Sequence, residues 1–176
     1  DPLSQELHED GLYLVDKTKG ISSFAAVYKV RNTLTKKYGK KIKVGHCGTL
    51  DPLATGLLIL VSGKLTKRAG ELTKMDKVYI AEATLGSSST TYDSEGTLSP
   101  VSTRKPSLSE VKTQLIKFKG EIEQTPPAFS AIKIGGKRAY KLAREGKPVE
   151  IQPRQIEIYS IKLIKYTYPK IEFEVH

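Results

Sequence analysis

Hydrophobic positions along the chain fall in short runs separated by turn residues. Gly11-Leu12-Tyr13-Leu14-Val15 reads as a strand, closed by the turn Asp16-Lys17-Thr18-Lys19-Gly20. Phe24, Val27, Val30 and Leu34 then recur at spacings of three and four, which predicts one apolar helix face through about Tyr38. Ser22 or Ser23 supplies its N-cap. Lys41 to Val44 reads as a short strand, and Leu57-Leu58-Ile59-Leu60-Val61 as a buried one. A short helix over Lys64 to Leu72 precedes a strand over Lys77 to Gly86 and a Ser/Thr/Gly-rich loop from Ser87 to Ser99. Ser107 and Glu110 have capping-box spacing, and Val111, Leu115 and Phe118 continue an apolar face to a stop at Gly120. Gly135-Gly136 predicts a hairpin turn, followed by a short helix from Ala139 to Glu145 that Gly146 ends. Gln155 to Thr167 reads as one alternating strand, with Ile156, Ile158, Ile164 and Tyr166 opposite Glu157, Tyr159, Ile161 and Leu163. Ile171 to Val175 is another. There is no internal repeat, low-complexity tract or clear linker.

With 176 residues, 38% hydrophobic and 27% charged, the chain has room for one domain and a sizeable core. No apolar run reaches the ~20 residues that span a bilayer. The single cysteine, Cys47, excludes an internal disulfide, so a reducing, cytoplasmic setting is expected. The net charge of +10 is unevenly placed. Residues 1–10 hold Asp1, Glu6, Glu9 and Asp10 with no Lys or Arg, and read as an acidic N-terminal tail. The remainder is therefore more basic than the whole, and a polyanion is the simplest partner. Lys36, Lys37, Lys40, Lys41 and Lys43 cluster within eight residues; they suit a solvated helix end and its dipole as well as phosphate contact.

The richest candidate for chemistry is Gly45-His46-Cys47-Gly48-Thr49-Leu50-Asp51-Pro52-Leu53-Ala54-Thr55-Gly56, a loop between two strands. Its glycines permit backbone conformations closed to other residues, and Pro52 stiffens the chain beside a single carboxylate. By residue type alone, Asp51 is either a turn initiator or an aimed catalytic group. The whole string closely resembles the G-H-x-G-T-L-D-P-x-A-x-G signature of the TruB family of tRNA pseudouridine synthases. The resemblance implies that Asp51 is catalytic, that His46 holds RNA in a flipped arrangement, and that the T-arm uridine is the target.

Further segments resemble the same family. Gly11 to Ser23 matches its first motif, with Thr18 where the family usually has proline, and Lys17 and Lys19 of this motif are expected to meet RNA. Lys77 to Gly86 resembles the segment whose tyrosine stacks on the target base, which falls on Tyr79 here; by residue type alone Tyr79 reads as a core aromatic. Thr90 to Gly96 resembles the T-x-T-x-D-x-x-G segment, with Tyr92 out of pattern. Residues 124–152 correspond to an insertion that the family places against the T arm. Lys133, Lys137, Arg138, Lys141 and Arg144 crowd this hairpin, with Tyr140 among them and Lys147 and Arg154 beyond, as RNA backbone contact requires. The resemblance implies an α+β fold, a mixed, largely antiparallel sheet flanked by helices, over residues 11–176. It also implies that a K-G-T-Y-I-R segment and a C-terminal RNA-binding domain lie beyond His176.

Other chemistries find no support. His8, His46 and His176 are scattered, one cysteine builds no usual zinc site, and neither a Walker loop nor a dinucleotide fingerprint occurs. No Ser/His/acid set suggests a hydrolase. The expected function is isomerisation of uridine to pseudouridine in the T arm of tRNA, by base flipping and an Asp-dependent rearrangement, in a monomer without metal or cofactor. The alternative is a non-catalytic tRNA-binding or RNA-folding module.

Overall fold

A computed structural model describes residues 5–128, 133–134, 137–146 and 150–176, with the backbone alone for 133–134, 137–140 and 142. Contacts divide the chain into two compact units, 1–76 and 77–176. The α+β class stands. Every strand pair among the described residues is antiparallel, and the pairs are distributed over five small sheets.

The first unit begins with β1 (Leu12–Lys17), whose side chains alternate so that Tyr13, Val15 and Lys17 point inward. Helix α1 (Ser23–Tyr38) follows; the Ser22 side chain caps the Ala25 amide and Gly39 closes the helix in the left-handed region. Next come β2 (Val44–His46) and β3 (Gly56–Ser62), with β3 central in the order β1-β3-β2. A 3₁₀ turn (Gly63–Arg68) and α2 (Ala69–Thr73) occupy the stretch expected to be helical.

The α1 stripe that meets the sheet is Ser23, Ala26, Val27, Val30 and Leu34, packed with Tyr13, Val15, Ile42, Val44, Leu58 and Leu60. Fully burying a Leu such as Leu34 or Leu60 is worth about 1.5–3 kcal/mol. Phe24, expected on that face, is 60% exposed. Each helical residue turns ~100°, so a stripe that starts at Ser23 carries the next side chain out toward solvent.

Residues 5–10 are strapped onto this unit. Leu7 is buried in its core, and its carbonyl accepts from Lys37 Nζ at 2.7 Å. The Tyr13 hydroxyl donates to His8 O at 2.6 Å and accepts from His8 N at 3.0 Å. Glu9 pairs with Lys40 at 2.7 Å, and Asp10 Oδ1 accepts from the Lys64 amide at 2.7 Å.

The second unit holds β4 (Tyr79–Thr84), β5 (Ser87–Ser89), β6 (Leu98–Pro100), α3 (Leu108–Ile116), β7 (Gly120–Gln124), β8 (Lys133–Ile134), β9 (Lys137–Arg138), α4 (Ala139–Arg144), β10 (Arg154–Ile158), β11 (Ile161–Thr167) and β12 (Lys170–Val175). Its largest sheet is β11-β12-β4. Val111 and Leu115 of α3 and Ile171 of β12 are buried, with Ala83, Leu85, Ile161, Leu163, Tyr166 and Phe173 around them. The capping box on α3 is complete in both directions. Three features differ from the sequence expectations. Helix α3 ends at Ile116, leaving Phe118 53% exposed. Ser87–Ser89 pairs with Leu98–Pro100 inside the expected loop, although serine is a poor strand former. Gln155 to Thr167 is two strands, and a register shift between Leu163 and Lys165 lets Leu163 and Tyr166 share one core. The Gly135-Gly136 turn lies outside the described residues, but the strands it would join pair Lys133 with Arg138 and Ile134 with Lys137.

Candidate functional site

The loop from Cys47 to Thr55 leaves β2 and returns into β3, so both its ends are fixed by the ladder in which His46 opposes Leu60. The Cys47 amide extends that ladder by donating to Ile59 O at 2.8 Å. The Cys47 side chain is buried, and burial pushes its thiol up, as suits a space-filling group. Gly48 and Gly56 both have positive φ, 101° and 113°, where a side chain would be strained. Between them Leu50 packs against the core and the Ala54 amide donates to Asp51 O at 3.0 Å, closing a turn.

Two side chains from distant sequence hold this turn. Ser23 is 2% exposed; its hydroxyl donates to Leu50 O at 2.8 Å and accepts from Leu50 N at 2.9 Å. Because Ser22 takes the capping role, Ser23 is free to make this double bond. Lys17 is 1% exposed, carried inward by the two-residue period of β1. Its ammonium donates to Ile21 O at 2.8 Å and Thr18 O at 3.0 Å, with Pro52 O at 3.4 Å. The Gly20 amide donates to Pro52 O at 2.7 Å, so the turn after β1 and the Asp51-Pro52 turn are tied together by backbone and lysine alike. A buried cation of this kind persists because carbonyl dipoles replace its water.

The consequence for Lys17 is a correction. It was expected among the RNA contacts, yet its charge is enclosed and committed to carbonyl oxygens, so it positions the loop and presents nothing to a phosphate. Lys19, two residues on, is exposed.

Asp51 is exposed, and its carboxylate has no hydrogen-bond or ion-pair partner among the described residues; the turn uses only its carbonyl. His46 is half-buried at the end of β2, with Nδ1 enclosed and without a partner. Thus Asp51, His46, Lys17 and Ser23 belong to one loop system in the first unit. Tyr79 belongs to the second, at the start of β4 opposite Val175, and is 47% exposed rather than buried in a core. Lys141 and Arg144 are exposed on α4. The side chains of Lys133, Lys137 and Arg138, and all of Lys147, lie outside the described residues. No cluster of His, Cys, Asp and Glu fit to hold a metal ion occurs among the described residues, and no helix there is long and apolar enough to cross a membrane. Sequence reasoning missed Ser23 and the inward Lys17. The adjacency of two serines and the parity of β1 were the available signals.

Comparison with known proteins places these residues in context. Residues 33–176 match the N-terminal domain of the TruB family pseudouridylate synthases. The tRNA pseudouridine synthase B of Clostridium kluyveri is 42% identical over 94% of this chain and 56% of its own length. That of Phocaeicola vulgatus is 44% identical over 91% of this chain and 69% of its own. That of Aquifex aeolicus is 44% identical over 88% and 52%. The chain therefore spans about half to two thirds of these curated relatives. Among solved structures, a chain of a Cbf5-Nop10-Gar1 complex matches with a TM-score of 0.63 at 23% identity, over 95% of this chain and 39% of that one. A chain of an H/ACA RNP bound to a substrate RNA containing 2'-deoxyuridine matches at 0.59 and 21% identity, over 94% and 37%. At these identities the structural matches speak to the fold alone.

Proposed function

Because the chain belongs to the TruB family of pseudouridylate synthases, we propose that its Asp51 loop is the catalytic element of an enzyme that isomerises a T-arm uridine of tRNA to pseudouridine. The observation that carries this reading is the unspent carboxylate. Among the described residues the anchors of the loop are made by other groups, namely Ser23, Lys17, the Gly20 amide and the backbone turn, while the exposed Asp51 side chain has no partner there. A turn-forming aspartate would use its side-chain oxygen in the turn. Here the turn closes through the carbonyl.

The reaction breaks the N1–C1′ bond, turns the uracil and joins C5 to C1′, with the proton lost from C5 balanced by one gained at N1. It is an isomerisation, so its stoichiometry calls for no redox or group-transfer partner. The uridine must first leave its stack, at a cost of about a few kcal/mol. In this reading His46 helps hold the opened RNA, Tyr79 faces the uracil, and Asp51 acts as nucleophile or base. Lys19 and the cations of β8, β9 and α4 meet the backbone. The cytoplasm, where tRNA is modified, is the corresponding setting.

The test is Asp51→Asn in the full-length protein, assayed for pseudouridine in a T-arm transcript beside a binding titration and a melting curve. Loss of turnover with folding and RNA affinity retained is expected, since an amide is neither a useful nucleophile nor a base at neutral pH. Turnover that survives the substitution sinks the catalytic role of Asp51. A protein that binds the transcript but never converts it, substituted or not, is the binding module instead.

A further inference from the structure

We propose that Phe24, Tyr28 and Arg31 form a stacking platform on α1 for an unpaired nucleotide of the RNA that Asp51 acts on; the proposal rests on that reading of Asp51. The three residues stand at i, i+4 and i+7, one stripe of the helix surface. Phe24 is 60% and Tyr28 54% exposed. The Arg31 guanidinium lies 5.6 Å from the Phe24 ring centroid and 5.7 Å from that of Tyr28, and has no carboxylate partner among the described residues. Single exposed hydrophobics need no explanation, but two neighbouring rings bridged by a cation form a surface.

Three observations favour RNA as the occupant. Helix α1 contains no Asp or Glu, so nothing on it repels a polyanion. The stripe begins one residue after Ser23, whose hydroxyl grips Leu50 beside Asp51, so the first ring and the Asp51 loop are anchored to the same turn of α1. From Phe24 to Arg31 the helix rises about 10 Å, which leaves room along the stripe for one base at ~3.4 Å thickness and its sugar and phosphate. Exposed rings flanked by a guanidinium suit bases whose faces are free, since a base can stack on a ring or on the guanidinium plane, and single strands and loops offer such bases where a duplex interior does not. The platform would hold a nucleotide flanking the flipped uridine.

The test uses the full-length protein and two RNAs, a T-arm stem-loop and a blunt duplex of the same stem. Phe24→Ala with Tyr28→Ala should weaken stem-loop binding about 5- to 100-fold and leave duplex binding within about twofold. Arg31→Gln should reduce the slope of log affinity against log salt by about one. Phe24→Trp should keep the affinity; residues 1–176 hold no other tryptophan, and the emission of the variant minus that of the unsubstituted full-length protein reports this position, with quenching expected on stem-loop addition. A double-alanine variant that binds the stem-loop as the unsubstituted protein does overturns the platform and leaves Asp51 untouched, as does equal loss on both RNAs. Turnover surviving Asp51→Asn overturns the catalytic reading, while quenching in Phe24→Trp still decides the platform.

Discussion

Asp51 and Asp93 both sit in turns rich in Gly, Ser and Thr, and the two carboxylates are used in opposite ways. Asp93 is consumed by its own loop. Its Oδ1 accepts from the Thr91 hydroxyl and from the Glu95 amide at 2.9 Å, and Thr90 and Thr97 close the hairpin around it. The Thr91 hydrogen bond is the main cause that holds its carboxyl below the usual range, opposed by some burial and helped by the Glu95 and Gly96 amides. Asp51 has none of these local partners, and its loop is fixed by residues 27 to 35 positions away in sequence. An acidic side chain whose loop is held by others is available for chemistry; one that holds its own loop is not equally so.

The comparison is broken most severely if Asp51→Asn keeps turnover. The expected loss is about three orders of magnitude or more, with a melting temperature close to that of the parent. Next in size is Lys17→Met, which strips the ammonium from buried carbonyls and should cost about 2–4 kcal/mol in urea unfolding. A cost near zero would mean that Asp51-Pro52 is held by backbone alone. Ser23→Ala removes one donor and one acceptor at Leu50 and should cost about 1–3 kcal/mol, read by the same titration, with faster amide exchange at Leu50. The smallest effect belongs to Asp93→Ala, expected to speed amide exchange at Glu95 while leaving the Asp51 loop unchanged. Because folding favours ionised Asp93, its contribution is present above the unfolded value of ~3.9 and fades as pH falls through the lower folded value. Protection at Glu95 should therefore decline only in acid.

Local chemistry was legible from sequence, and distant chemistry was not. The Ser22 cap, the Ser107–Glu110 box, β1, β3 and α4 follow from patterns a few residues long. The string around Asp51 could be read because it lies within one loop. Lys17 and Ser23 act across 35 and 27 residues, and nothing beside them in sequence announces a carbonyl waiting there. Phe24 fits an inward helical spacing equally well, and only the commitment of Ser23 to Leu50 decides which stripe turns in. The bulge between Leu163 and Lys165 breaks the parity on which an alternation argument depends.

The N-terminal strap also shapes the long-range field of the first unit. It sets Glu9 on Lys40, which offsets one positive charge just beyond α1, and holds the Lys37 ammonium on the neutral Leu7 carbonyl, which fixes that charge in place without cancelling it. The lysine cluster that follows α1 is thus ordered by the strap rather than erased by it, and most of its charge still faces outward as a fixed array. Segments rich in acid are usually read as solubilising; this one acts as a brace that decides where its basic neighbours stand.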